Sequence, residues 1–217
     1  MTSPLASWAD QLLVLCLLLN FAVLGTSRLG FSVRAVALQG VVLGVLPALV
    51  HPFSWHVAAI VVSIVLVKGG VIPLLIIRAV KKAEIEREFQ PFIGYIPSLV
   101  LGALFTALAF VFAARLPLAP EHAGLLVVPA SIATLMCGFL VLMGRRKAIS
   151  QVLGYLLMEN GIFIFGLLLA DAMPVMVEAG ALLDLLVGVF VMGIVINHIS
   201  REFSSLDTSR LSALREE

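Results

Sequence analysis

Seven apolar stretches, at roughly 8–26, 32–50, 54–77, 92–114, 124–143, 148–170 and 174–199, leave this 217-residue chain few ways to fold. About 20 consecutive apolar residues are what a helix needs to cross the hydrocarbon of a bilayer. Inside lipid only helices and closed barrels satisfy their own backbone hydrogen bonds, and unbroken apolar runs without alternation are those of helices. Composition agrees. The chain is 61% hydrophobic and 12% charged, half the charge of a soluble domain at about 25%, and its mean hydropathy is +1.14.

The basic residues give an independent reading of the span number. Lys and Arg concentrate in cytoplasmic loops. Arg28 and Arg34 follow the first span; Arg78, Lys81, Lys82 and Arg87 follow the third; Arg145, Arg146 and Lys147 follow the fifth; Arg201, Arg210 and Arg215 lie in the tail. The alternate connections hold only Arg115, and Lys68 is left over inside the third span. This alternation predicts an all-α, polytopic bundle of seven transmembrane helices, N-terminus outside and C-terminus inside. Residues 1–217 form a single membrane domain: an N-terminal triplet over 1–90, a connector helix over 91–120, a second triplet over 121–200 and a cytoplasmic tail over 201–217. The two triplets share a pattern that reads as a possible internal repeat, with Gln39 and Glu159 in their middle helices and Lys68 and Asp184 in their third. The N-terminus has no basic region before its apolar run, so that run reads as a retained helix.

Several function classes drop out. No basic face suggests nucleic acid. Cys16 and Cys137 lie far apart within apolar runs and read as buried free thiols. His51, His56, His122 and His198 fall at span ends and read as interfacial, and no His, Cys and carboxylate set has metal-ligand spacing. The sequence holds no nucleotide-binding glycine loop and no defensible Ser/His/Asp arrangement.

What remains are ionisable residues inside apolar spans. Glu159, Glu178 and Asp184 lie in the sixth and seventh. A charged carboxylate at a helix centre costs at least about 2.5–3.5 kcal/mol on insertion scales, so a partner, water or a bound proton must offset it. At 1.5 Å per residue, Glu159 lies about 16 Å along its span, Asp184 about 15 Å along the next and Lys68 about 18 Å along the third. These three share the midplane, while Glu178 lies nearer the outer end. Tyr155, four residues before Glu159, shares its face and could donate a hydrogen bond. Gln39 reads as a helix–helix hydrogen bond or as a relay element. Gly69, Gly70 and Pro73 follow Lys68. Pro73 has no N–H to bond four residues back, which predicts a kink or local unwinding just after the lysine. The expected proton pathway is Glu159, Asp184, Lys68, Glu178, Tyr155 and Gln39, since desolvated carboxylates beside a basic group can relay protons. The bland reading is that the same groups are interhelical glue.

The runs GYLLMENG at 154–161, VEAGALLD at 177–184 and SLDTSRLSAL at 205–214 resemble the hydrogenase-4 component E family, membrane subunits of formate-hydrogenlyase-type and other complex I-like hydrogenases. The resemblance covers essentially the whole chain. More distantly, the last three spans are similar to the three-helix K subunit of complex I, with Glu159 matching its first intramembrane glutamate and Asp184 its second. The chain departs in having Asp at that second position and in adding Glu178. The resemblance implies a non-catalytic subunit of the prokaryotic cytoplasmic (inner) membrane that continues a charged axis. Its implied partners are antiporter-like membrane subunits, a membrane subunit like the H subunit of complex I, and peripheral hydrogenase subunits. It implies no cofactor on this chain, with nickel–iron and iron–sulfur centres on the partners. Two alternatives stand beside it: a passive anchoring subunit of the same complex, and a subunit of a related multi-component cation transporter or membrane oxidoreductase.

Overall fold

The computed structural model describes residues 4–50, 55–82, 91–117 and 126–169, and these are helical apart from short connections. The helices are α1 (Pro4–Leu24), α2 (Leu29–Val50), α3 (Trp55–Leu66), α4 (Ile72–Lys82), α5 (Tyr95–Ala113), α6 (Val127–Gly144) and α7 (Ala148–Leu169). A π-helical segment, Val67–Val71, joins α3 to α4. Five stretches are long and apolar enough to cross a membrane: Leu29–Ala48, Val61–Arg78, Tyr95–Ala113, Val127–Gly144 and Ala148–Leu167; Trp8–Leu24 is a shorter apolar helix. The first six expected spans are therefore present as helices. The expected seventh, at 174–199, lies outside the described residues.

Proline placement follows its chemistry. Pro97 and Pro129 lie in the first turns of α5 and α6, where the missing N–H has no intrahelical acceptor to lose. Pro73, deeper in its span, is the second residue of α4 and directly follows the π segment, at whose end the Ile72 N–H reaches back five residues to the Val67 carbonyl. The expected interruption thus takes the form of a widened turn that already includes Lys68. The helix swells to absorb the lost donor without breaking.

α6 and α7 form a hairpin packed through glycine. A Cβ added at Gly138 would sit 2.5 Å from the Met158 nitrogen, and one at Gly154 2.5 Å from the Leu142 nitrogen. Only hydrogen side chains allow that backbone approach. α1 packs on α2 and α6, α2 on α7 and on the α3–α4 span, and α5 on α6. Asp10 on α1 accepts a hydrogen bond from the Leu126 N–H at the start of α6, 3.0 Å. At the opposite ends, Arg145 donates from Nη2 to the Leu24 carbonyl, 2.8 Å. α1 and α6 therefore run parallel. Arg145 is only 4% exposed and lies against the Tyr95 ring at 4.3 Å; it satisfies a terminal carbonyl of α1 and places a cation at that helix's negative end. Arg146 stacks on Phe92 at 4.5 Å, and the Phe92 and Ile93 N–H groups bond the Gly144 carbonyl. The basic loop after α6 thus gathers the ends of α1, α5 and α6.

The apolar core is in two parts. One joins Val23, Leu24, Val33, Val36, Ile72, Ile76, Val141, Val152 and Leu157. The other joins Leu13, Cys16, Leu17, Leu43, Leu46, Val127, Ala130 and Ile164. On α1, α2, α6 and α7 the residues between these two sets include Asn20, Gln39, Thr134 and the Glu159–Asn160 pair.

Candidate functional site

A buried polar layer separates the two half-cores, and among the described residues it draws on every span but α5. Lys68 reaches it from the π segment. Its path crosses α2 at Gly40, where an added Cβ would fall 2.9 Å from the Lys68 Cβ. The small residue lets the lysine stem lie directly on the α2 backbone and extend to α7. There Lys68 Nζ meets Glu159 Oε1 at 2.8 Å, with the two side chains 15% and 3% exposed. The ammonium also lies 5.3 Å from the centre of the Phe163 ring, within range of a cation–π contact. Glu159 is 11 residues from the start of the Ala148–Leu167 stretch, about 16 Å at helical rise.

From this pair a chain of neutral side chains leads inward. Lys68 Nζ is 3.5 Å from Asn160 Oδ1, at the long end of hydrogen bonding. Asn160 Nδ2 donates to Gln39 Oε1, 3.1 Å. Gln39 Nε2 donates to Asn20 Oδ1, 3.0 Å, and to the Cys16 backbone carbonyl, 3.2 Å. Asn20 Nδ2 donates to Thr134 Oγ1, 2.9 Å. All four side chains are buried. In a low-dielectric interior such bonds polarise one another, and each unmade one costs about 1–3 kcal/mol.

The layer brings together three of the expected residues, Lys68, Glu159 and Gln39. Tyr155 stands one turn before Glu159 on α7, half-buried against the first half-core. Asp184 and Glu178 lie outside the described residues. Asn20, Asn160 and Thr134 went unread in the sequence. Their signal was an amide or hydroxyl inside an apolar run, which is weak because single Asn and Thr residues are common in membrane helices. Among the described residues no group of three His, Cys, Asp or Glu side chains is placed to hold a metal. What the arrangement can do is hold a positive charge beside a carboxylate at mid-span, with polar groups leading away from it.

Comparison with known proteins finds relatives across most of the chain. It is 32% identical over 189 residues to the uncharacterized protein Rv0085 of Mycobacterium tuberculosis, an alignment covering 85% of each chain. It is 30% identical over 163 residues to hydrogenase-4 component E of Escherichia coli, covering 74% of this chain and 72% of that protein. Hydrogenase-4 component E of Shigella flexneri matches to the same extent. No family model matches the sequence, and no solved structure matches it.

Proposed function

The chain belongs to the hydrogenase-4 component E family, and from that membership we propose that it is a membrane subunit of a complex I-like hydrogenase whose buried polar layer carries part of a proton or cation translocation axis. The single observation that carries this reading is the Lys68–Glu159 pair, 2.8 Å apart and enclosed at mid-span. Ionisable groups at that depth mark ion pathways more than they mark stability, because desolvating both charges offsets their attraction. In this reading Glu159 accepts and releases the proton, and Lys68 moves its charge toward or away from Glu159 as it does so. Asp184 and Glu178 extend the axis, as the resemblance to the K subunit of complex I suggests. Redox chemistry at nickel–iron and iron–sulfur centres in peripheral subunits supplies the energy. Antiporter-like and H-subunit-like neighbours in the cytoplasmic membrane continue the path.

The test is Glu159→Gln in the assembled complex, with hydrogen turnover, subunit assembly and charge movement into vesicles measured together. In the complex that assembles, charge movement per hydrogen turned over should fall at least tenfold, even though its thermal stability is lowered. Normal charge movement would end the proposal.

A second reading, passive anchoring, has one observation in its favour. The links from Asn160 through Gln39 and Asn20 to Thr134 join four helices without a titratable group. Under that reading Glu159→Gln reduces assembly and turnover in step with charge movement.

A further inference from the structure

The orientation of the amide chain is set by one group that cannot turn. A primary amide can flip and exchange its oxygen for its nitrogen; a backbone carbonyl can only accept. Gln39 lies 3.2 Å from the Cys16 carbonyl, and that oxygen fixes Gln39 with its nitrogen toward α1. The Gln39 oxygen must then face α7, where it accepts from Asn160. Asn160, committed as a donor to Gln39, is left with its oxygen toward Lys68. On the other side Asn20 must offer its oxygen to Gln39 and its nitrogen to Thr134. Flipping any one amide would set two oxygens or two N–H groups against each other in a dry interior. The three amide dipoles therefore point one way, each with its oxygen toward the lysine.

We infer that Gln39 is a positioning residue for Lys68: through Asn160 it fixes a second, permanently available acceptor for the ammonium beside Glu159. This rests on the proton-axis reading of the Lys68–Glu159 pair. When Glu159 carries a proton its hold on the ammonium weakens. Asn160 Oδ1 and the Phe163 ring then keep Lys68 at the site, so that the pair re-forms on deprotonation. Among the described residues, Glu159 is the ionisable group paired with Lys68. Of the other ionisable groups described on the elements packed against it, Tyr155 stands one turn back on α7, and Arg34 on α2 and Arg78 and Lys81 on α4 are exposed. Gln39 hydrogen-bonds Asn160, Asn20 and the Cys16 carbonyl, so its polar link to Lys68 runs through Asn160.

Two variants test this in the full complex, with charge movement into vesicles followed against pH. Gln39→Met keeps the volume and removes both the acceptor for Asn160 and the donor to Cys16. Asn160→Asp keeps an oxygen toward Lys68, adds negative charge there and loses the N–H that Gln39 Oε1 accepts from. Gln39→Met should assemble, keep hydrogen turnover and lower charge movement about tenfold, with its pH profile displaced. Asn160→Asp should displace the profile in the opposite direction. A Gln39→Met complex with the wild-type rate and pH profile overturns the inference. If Gln39→Met fails to assemble, Asn160→Leu decides in its place, since it removes the second acceptor without adding charge: a wild-type rate and profile overturn the inference, and a lowered rate with hydrogen turnover kept supports it. Glu159→Gln separates the two claims. If it leaves charge movement intact, the axis reading fails. If it abolishes charge movement while Gln39→Met does nothing, only the positioning role of Gln39 fails.

Discussion

The two sides of the ion pair arrive on very different helices. Glu159 sits on α7, whose contact with α6 is backbone against backbone at Gly138 and Gly154. Of the α6 and α7 stretches, 67% and 61% are buried within the chain; of Val61–Arg78, which carries Lys68, only 11% is. One partner is held in a close-packed frame. The other comes from a peripheral span with a π turn at the charged residue and apolar side chains such as Val62, Leu66, Val71 and Leu74 turned outward. A fixed acid and a more weakly seated base suit a pair that must separate and re-form. Two equally rigid partners would suit glue better. The amide chain reinforces the asymmetry, because it ends on Thr134 of α6 and so ties the lysine's second acceptor to the rigid side.

The comparison can be broken at several points. The largest effect on stability should come from Glu159→Gln. It leaves the Lys68 ammonium without its counter-ion, a change that costs about 3–5 kcal/mol when a buried pair is broken. A fall in the thermal midpoint of the purified complex reads it. Next is Gly154→Ala, whose Cβ would meet the Leu142 nitrogen at 2.5 Å. Backbone cannot rotate away as a side chain can, so the cost should approach about 3 kcal/mol, seen as lost accumulation of the subunit in membranes. Gly40→Ala strikes the flexible side. Its Cβ would press on the Lys68 Cβ at 2.9 Å, and the peripheral span can yield. Accumulation should change little, by about 1 kcal/mol, while charge movement falls a few-fold. Gly70→Ala is the smallest. Nothing lies within 4 Å of an added Cβ, and Ala favours helix over Gly by about 0.8–1 kcal/mol. Wild-type accumulation and charge movement are expected, and a large loss would show that the π segment must flex at Gly70.

Much of this was legible in the sequence, and the reasons differ by residue. Lys68 and Glu159 stood out because charge inside an apolar run is costly enough to need an explanation. Pro73 four residues after Gly69 announced the irregular turn, though its π geometry depends on how α2 packs alongside. The apolar runs marked the six helical spans described, with ends displaced by a few residues. The amide chain was not legible. Asn20, Gln39, Thr134 and Asn160 come from four helices, and their meeting depends on helix rotation, which a nearly uniform apolar surface does not reveal. Arg145 shows the same gap. Its position in a basic loop marked it as a topology signal, yet its guanidinium is buried against the end of α1.

The central claim is that Lys68 and Glu159 act as one charge-moving unit, and the double variant Lys68→Met with Glu159→Gln tests it most directly. Replacing both partners leaves no buried charge unpaired, so stability should return close to wild type where Glu159→Gln alone loses it. Thermal stability and charge movement per hydrogen turned over are measured on the same preparation. The account predicts a complex that is restored in stability, still turns over hydrogen and moves at least tenfold less charge. A double variant that moves charge at the wild-type ratio would contradict it.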